Sequence, residues 1–449
     1  MRDVDVVVVG AGPVGCVAAL AHARRGAKVA LLEAQPSRRN RFAGELLHPP
    51  AMAALREIGV HAVAPAADHA PNRGFAVFSS DRPTEDVLDH PGAQGFTCEF
   101  NALVEFLQGE ARAHENVAWM PHVRVTDVRD GLVQAVDRSD AALTLRAGRI
   151  VGADGRFSHV RKALGLPDDR TPLSHMAGLV LRDVELPHEG YGHVFLGGWG
   201  PILAYRIAED AVRVCVDVPS HVKRAGDRGR RIWESVRAQI PAGLHGAVRA
   251  ELEADRVAWA VIELRPRVHY HHHGVALVGD AIGHFHPMTG IGMTLGFGDA
   301  VELARHDDLD AWQRVRHRQT IAPALLATAL YEIFAVDAEP TRACREAIYR
   351  MWGQSPALRQ RSMALLSCED PSFLRLLGVG VQMVSRAGLA IAGRHLGHGS
   401  LREGGVALAR VARLVQWLLA ESVPASMRVL PAPVTPFQSV RLQAIPTGS

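Results

Sequence analysis

Three glycine-bearing segments carry residues that can do chemistry. The first is Gly10-Ala11-Gly12-Pro13-Val14-Gly15, set between a β-branched run and an alanine-rich stretch. At this spacing Gly10 permits a tight turn, Gly12 lets backbone approach a diphosphate, and Gly15 lets the next helix pack closely on the strand. The helix start adds free N–H groups and a partial positive charge for phosphates. Glu33 closes the following apolar run, where a carboxylate can accept both ribose hydroxyls of an adenosine. The combination points to a bound dinucleotide; a tight turn with no ligand is the competing reading. The second segment is Gly152-Ala153-Asp154-Gly155-Arg156-Phe157-Ser158, an Asp-Gly turn that alone would be an ordinary loop. The third is Gly279-Asp280-Ala281, followed by Pro287, Gly290, Gly292, Met293 and Thr294, then Asp299. A strand delivers Asp280 to a loop, where its carboxylate can accept a ribityl hydroxyl. The two glycines and a helix start can present N–H groups to charge developing on the N1/O2 edge of a flavin.

These residues need an alternating strand and helix framework to hold them. Val4–Val9 reads as a strand buried on both faces, about Pro13 to Arg25 as a helix with proline in its first turn, and Lys28–Glu33 as a second short strand. That is a βαβ unit. From Phe75 to His90 the pattern is irregular, then weakly alternating, and a helix follows from about Asn101 to His114. Ala177–Leu186, Ile202–Ile207 and Val212–Val218 suit an antiparallel sheet inserted into the first domain, with Trp233–Ile240 helical. Val275–Gly279 returns to a buried parallel-type strand. From about Ala300 helix-forming composition dominates, and the tail after Pro424 reads as loop.

Composition bounds the class. The chain has 449 residues, 48% of them hydrophobic and 22% charged, with a net charge of +3. This allows several domains and a large core, and excludes bulk disorder. Charge this even offers no argument for nucleic acid. Five scattered cysteines without CxxC spacing suggest neither zinc nor a disulfide framework. No signal peptide is legible, so a reducing cytoplasm is the expected location. No run approaches the ~18 uncharged apolar residues of a spanning helix. The nearest candidate, Leu376–Ser385, is bounded by Arg375 and Arg386 and suits a surface-lying segment better than a span.

The three motifs, in this order, resemble the FAD-dependent monooxygenases of the aromatic-hydroxylase type. In that family the first motif binds the ADP half of FAD, the Asp154-Gly155 segment helps hold FAD and the nicotinamide donor, and the Asp280 segment lies along the ribityl and isoalloxazine. Aromatic hydroxylases usually carry His where Gly283 stands and Asn where Thr294 stands. Here His286-Pro-Met-Thr-Gly-Ile-Gly-Met-Thr294 looks like the matching loop of squalene monooxygenases (squalene epoxidases). Gly44-Glu45-Leu-Leu-His48-Pro49, Tyr205-Arg-Ile with Val212–Asp217, Ala329–Phe334 and Ala364–Cys368 are also similar to segments of that family. The resemblance runs from about Asp3 to Val384. It departs at His48, where the family has Gln, and at Phe75, where it has Tyr; this argues against squalene itself.

The resemblance implies an α/β fold: a Rossmann-like FAD-binding domain of the glutathione-reductase type, an inserted β-sheet substrate domain and a helical C-terminal part. The expected division is 1–74, 98–165 and 270–335 for the FAD domain, 75–97 and 166–269 for the sheet domain, and 336–449 for the helices. It implies FAD as cofactor, NAD(P)H as electron donor, and transfer of one oxygen atom from O2 to a lipophilic substrate through a C4a-hydroperoxyflavin. The squalene-like loop favours an alkene to be epoxidised. An aromatic ring hydroxylase of a secondary-metabolite pathway and an FAD-dependent reductase of isoprenoid double bonds are the alternatives. The candidate catalytic residues are His48, Phe75 and His286. His48 can orient the flavin or exchange protons near pH 7, or simply pack before Pro49. Candidate cofactor ligands are Gly10, Gly12, Gly15, Glu33, Arg41, Glu45, Asp154, Gly155, Asp280, Pro287, Gly290, Gly292 and Met293. No metal is expected: His269-Tyr-His-His-His273 has no carboxylate or cysteine at ligand spacing nearby. Apolar residues at helical spacing in Phe373–Leu396 and Leu401–Glu421, among them Leu414, Val415, Trp417, Leu418 and Leu419, suit either core packing or a peripheral contact with the inner membrane. The sequence leaves the oligomeric state open.

Overall fold

The computed structural model describes residues 2–36, 42–62, 68–397 and 401–422. Its centre is an eight-stranded sheet. Arg2–Val9 lies between Ala142–Gly152 and Val29–Glu33, parallel to both. Val117–Pro121 extends the sheet beyond Val29–Glu33, and Val275–Leu277 pairs in parallel with Ala142–Gly152 on the other side. The strand residues Val6–Val9 and Val29–Leu32 are all buried, as their unbroken apolar runs require. The helices Pro13–Ala23 and Gly292–Ala304 pack on this sheet and on each other.

A second sheet has seven strands in the order Ala258–Leu264, Thr171–Arg182, Ala211–Val218, Ile202–Ala208, Gly192–Leu196, Gly74–Ser79, Asp86–Asp89. It is antiparallel except where Gly192–Leu196 runs parallel to Gly74–Ser79. The segment read as irregular from Phe75 thus supplies two strands. All but one residue of Gly74–Ser79 are buried, so the alternation that marks a half-exposed strand is missing. The strand expected at Ala177–Leu186 starts earlier and ends at Arg182, and the helix expected at Trp233–Ile240 is Arg228–Val236. Leu46–Leu47, Gly95–Cys98 and His69–Asn72 form a small third sheet.

The C-terminal part is helical: Leu309–Ala335, Glu339–Gln354, Pro356–Leu366, Phe373–Gly397 and Leu401–Ser422. Phe373–Leu396 is long and apolar enough to cross a bilayer by length and composition, although Arg375, Arg386 and Arg394 interrupt its apolar run. One side of it packs against Glu339–Gln354 and Leu401–Ser422. The tail after Pro424 and the side chains of Leu414, Val415, Leu418 and Leu419 lie outside the described residues.

Candidate active site

The dinucleotide turn is built as its residue types demand. Gly10 has φ +98°, and a Cβ on it would lie 2.8 Å from the Ala153 carbonyl oxygen; a Cβ on Gly15 would collide with the Gly10 carbonyl. Gly12 is the N-cap of Pro13–Ala23 and has no side-chain cap, and a Cβ there would meet nothing within 4 Å. The helix start therefore opens onto free space. Glu33 stands beside the turn: its Oε2 accepts from the Ala11 N–H at 2.8 Å and its Oε1 from the Gln35 N–H at 2.8 Å. Arg41 lies outside the described residues.

The second and third motifs meet in space. Arg156 donates from Nε to Asp280 Oδ2 at 3.1 Å, although 124 positions separate them. Asp154 caps the helix His159–Ala163, its Oδ2 accepting from the N–H groups of His159 (2.6 Å) and Val160 (3.1 Å). Burial pushes its carboxyl above the usual range, against those hydrogen bonds. Gly155, with φ +78°, completes the turn. Asp280 sits in the short 3₁₀ turn Gly279–Ala281, and Pro287–Thr289 forms another that Gly290 ends in left-handed conformation at φ +66°. Gly292–Ala304 begins beside them without a side-chain cap. The Met293 Cε lies 3.8 Å from where a Gly44 Cβ would stand.

A buried knot fixes this loop. Asp299 Oδ2 accepts from Arg267 Nη2 at 2.6 Å and from the Gly279 N–H at 3.0 Å, and Oδ1 accepts from Arg316 Nε at 2.9 Å. Asp299 was visible as part of the third motif. Its two arginines were not, because nothing in local spacing marks them. These observations fit FAD: an open, uncapped helix start for the diphosphate, Glu33 at the adenosine end, and Asp280 and a second uncapped helix at the flavin end.

Two residues of the active face are tied into the protein around them. His48 is fully buried; its Nε2 donates to the Thr289 carbonyl at 2.8 Å and its backbone N–H to Thr294 Oγ1 at 3.3 Å. Burial, aided by nearby His90, pushes its pKa down to about 3, which favours the neutral ring. Glu45 is paired within the protein. Its carboxylate takes a two-pronged ion pair from Arg213 (2.7 and 2.9 Å) and a hydrogen bond from the Tyr205 hydroxyl at 3.2 Å. It pins the Gly44–Pro49 segment to the seven-stranded sheet. Phe75 is buried, with its ring 5.9 Å from that of His48. His286 stacks on Tyr331 (4.0 Å, 16°), accepts from the Met288 N–H at Nδ1, and turns Nε2 toward Asp217 Oδ2 at 3.6 Å. The Tyr331 hydroxyl donates to the same Asp217 oxygen at 3.1 Å.

An apolar cavity begins at this face. It spans about 960 Å³ of space between atoms, a figure that includes space open to solvent. Phe75 and Leu88 line it from the seven-stranded sheet, Met288 and Thr289 from the turn, and Leu330 and Trp352 from the helices. Among the described lining residues the polar side-chain groups are the hydroxyls of Thr289 and Ser362 and the indole N–H of Trp352, which donates to Ser362 Oγ at 3.0 Å.

The family model for the FAD binding domain matches residues 3–306. Squalene epoxidase 3 of Arabidopsis thaliana is 30% identical over 410 residues, covering 84% of this chain and 76% of that protein. The chain belongs to the FAD-dependent monooxygenases of the squalene-epoxidase family. Squalene epoxidase erg1 of Aspergillus fumigatus is 29% identical over 378 residues, covering 77% of this chain and 78% of its own. Among solved structures, PqsL of P. aeruginosa in complex with 2-aminobenzoylacetate matches with TM-score 0.65 at 22% identity, over 74% of this chain and 97% of that one. The p-nitrophenol 4-monooxygenase PnpA of Pseudomonas putida matches with TM-score 0.58 at 21% identity, over 85% and 99%. Both share the fold. As a member of this family the enzyme uses FAD, and its helical C-terminal part continues beyond the residues that the FAD-domain model matches.

Proposed function

We propose that this enzyme inserts one atom of O2 into a lipophilic alkene, drawing electrons from NAD(P)H through FAD. The observation that carries this reading is the apolar cavity, which is lined by Met288 and Thr289 from the loop that continues into Gly290 and Gly292. FAD, once bound and reduced, supplies the activation of oxygen. The chain supplies placement and dryness. Gly10, Gly12 and Gly15 would seat the diphosphate on the helix start, Glu33 the adenosine ribose, and Asp280 the ribityl chain. Backbone N–H groups from Gly292 onward would stabilise negative charge on the pyrimidine edge. Phe75, Met288 and the helical wall would hold the alkene and keep water out. His286, stacked on Tyr331, would steady the Pro287–Thr289 turn between cofactor and substrate.

The helix Phe373–Gly397 joins the cavity to an exterior apolar face. Leu374, Val381, Leu389 and Leu396 are exposed, and their spacing of seven and eight residues puts them on one side. Leu376, Val379 and Met383, on the opposite side, line the cavity. A peripheral membrane contact along the outer stripe would let a lipophilic substrate enter without crossing water. The deciding experiment is turnover of lipophilic alkenes and phenols under 18O2, with the product identified by mass. The expected product carries one 18O atom for each NAD(P)H oxidised. Anaerobic formation of a saturated product would instead assign a reductase of isoprenoid double bonds.

A further inference from the structure

The cavity runs along one helix and ends against another. Leu326, Leu330, Ile333 and Phe334 line it from Leu309–Ala335, at the spacing that puts them on one face. The Leu326 end of that face lies beside the Pro287–Gly292 loop, because the neighbouring Ala327 packs on Ile291 and Leu295. Phe334 stands ~12 Å further along the helix axis, at ~1.5 Å per residue. Just beyond it the chain turns through 114° into Glu339–Gln354. Ile348 and Trp352 lie one turn apart on a single face of this second helix, and both line the cavity. Because the second helix is set steeply across the first, these two side chains form an end wall and not a continuation of the channel.

The wall is fixed from several directions. Arg345, buried on the same helix, donates from Nη1 to the carbonyls of Ile333 (2.9 Å) and Val336 (3.3 Å) and from Nε to Asp81 Oδ2 (2.7 Å). It ties the helix to the end of Leu309–Ala335 and to the turn beyond the strand Gly74–Ser79. That strand runs the same way as the cavity: Phe75 lies near the flavin loop through His48, Val77 lines the cavity further along, and Asp81 follows the strand end. The Arg82 guanidinium sits over the Tyr349 ring at 5.3 Å, and the Tyr349 ring meets that of Trp352 at 6.0 Å. The Trp352 indole N–H donates to Ser362 Oγ at 3.0 Å, and the Ser362 hydroxyl donates to the Leu358 carbonyl at 2.8 Å. An indole held at its nitrogen and packed on a second ring resists being swung aside.

A chain laid along this axis from Thr289 meets the wall after ~12 Å, about ten chain bonds at ~1.2 Å each. Extended squalene is more than twice that length. We propose that Trp352, with Ile348, is a specificity-determining end wall, and that it limits the substrate to a lipophilic chain of about two to three isoprene units. Which end of that chain reacts rests on the monooxygenase reading; the length limit does not.

The test titrates geranyl, farnesyl and geranylgeranyl methyl ethers, each longer than the last by one isoprene unit, into the oxidised FAD-loaded enzyme without NAD(P)H. The visible flavin band is the readout. Hydrophobic burial alone makes each added unit bind more tightly. The wall reverses that order: the geranylgeranyl ether should bind at least about tenfold more weakly than the farnesyl ether. Trp352→Ala should erase this break, so that the longer ether binds at least as tightly. Ile348→Phe, which thickens the wall, should move the break down to between geranyl and farnesyl, with FAD retained in both variants. Equal or tighter binding of the geranylgeranyl ether by the unmodified enzyme would overturn the proposal whether or not either variant folds, as would a break that Trp352→Ala leaves in place. If the break appears but no 18O enters any product, the wall stands and the monooxygenase reading falls. If squalene is oxygenated as readily as the shorter alkenes, the reverse holds.

Discussion

At the scale of single residues, chemistry was legible where backbone geometry restricts residue type, and illegible where a role depends on distant partners. Gly10 and Gly15 announce themselves because no other residue fits that turn, and Gly12 because a side chain there would crowd a diphosphate on the helix start. Gly12 gives a clean prediction, since open space surrounds it. Gly12→Asp should fold normally yet lose about a hundredfold in FAD affinity through charge repulsion with the diphosphate, read as loss of flavin absorbance at an unchanged melting temperature. His48 shows the opposite case: its neighbours Thr289 and His90 lie far along the chain, so its neutrality could not be read from Glu45-Leu-Leu-His48-Pro49. Burial likewise holds His22, His193 and His284 down to about 4. Unfolded, all four bind protons near pH 6.5; folded, they do not until about pH 4, or about 3 for His48. The unfolded state therefore gains protons first, and stability should fall as pH drops from about 6.5 toward 4, by up to ~1.4 kcal/mol per pH unit for each histidine. Glu45 and Asp154, whose carboxyls are raised, act in the opposite sense and temper the slope. A urea midpoint that stays level between pH 6.5 and 4.5 would refute this.

At the scale of elements, the parallel strands were legible because both faces are covered and their apolar runs are continuous. The same coverage hid the Gly74–Ser79 strand, where glycine, alanine and serine break the run. The joints between elements were the least visible. Asp299 ties the Gly279 turn to the helices Gly292–Ala304 and Leu309–Ala335 through Arg267 and Arg316. Asp299→Asn would leave two buried guanidinium groups without their counter-charge. The expected loss is ~3–5 kcal/mol of unfolding free energy, measured by denaturant titration of the FAD-loaded enzyme. Arg213→Met should cost a similar amount by stranding Glu45, and adding Glu45→Gln to it should recover most of the loss. A double variant no more stable than the single one would show that this pair is not coupled.

At the scale of the whole molecule, the α/β class and the helical end were legible, while the cavity was not, because it is walled by residues from Phe75 to Met383 that only the fold gathers. The outer stripe of Phe373–Gly397 carries the corresponding prediction. Leu374→Glu combined with Leu389→Glu, both at exposed sites, should leave stability and FAD content unchanged and lower co-sedimentation with anionic liposomes about tenfold or more. Unchanged co-sedimentation would remove the membrane from this face.

The order of strands in the central sheet also bears on how the chain is made. Arg2–Val9 emerges from the ribosome well before its neighbour Ala142–Gly152, and the next strand outward, Val275–Leu277, follows later still. At ~5–20 residues per second, that last strand appears on the order of tens of seconds after the first. Meanwhile Val6–Val9 is a short, uncharged, β-prone run with an open edge, the kind of segment that sticks to copies of itself. Soluble yield in cells should therefore depend on how that nascent strand is shielded during synthesis as much as on the stability of the finished enzyme.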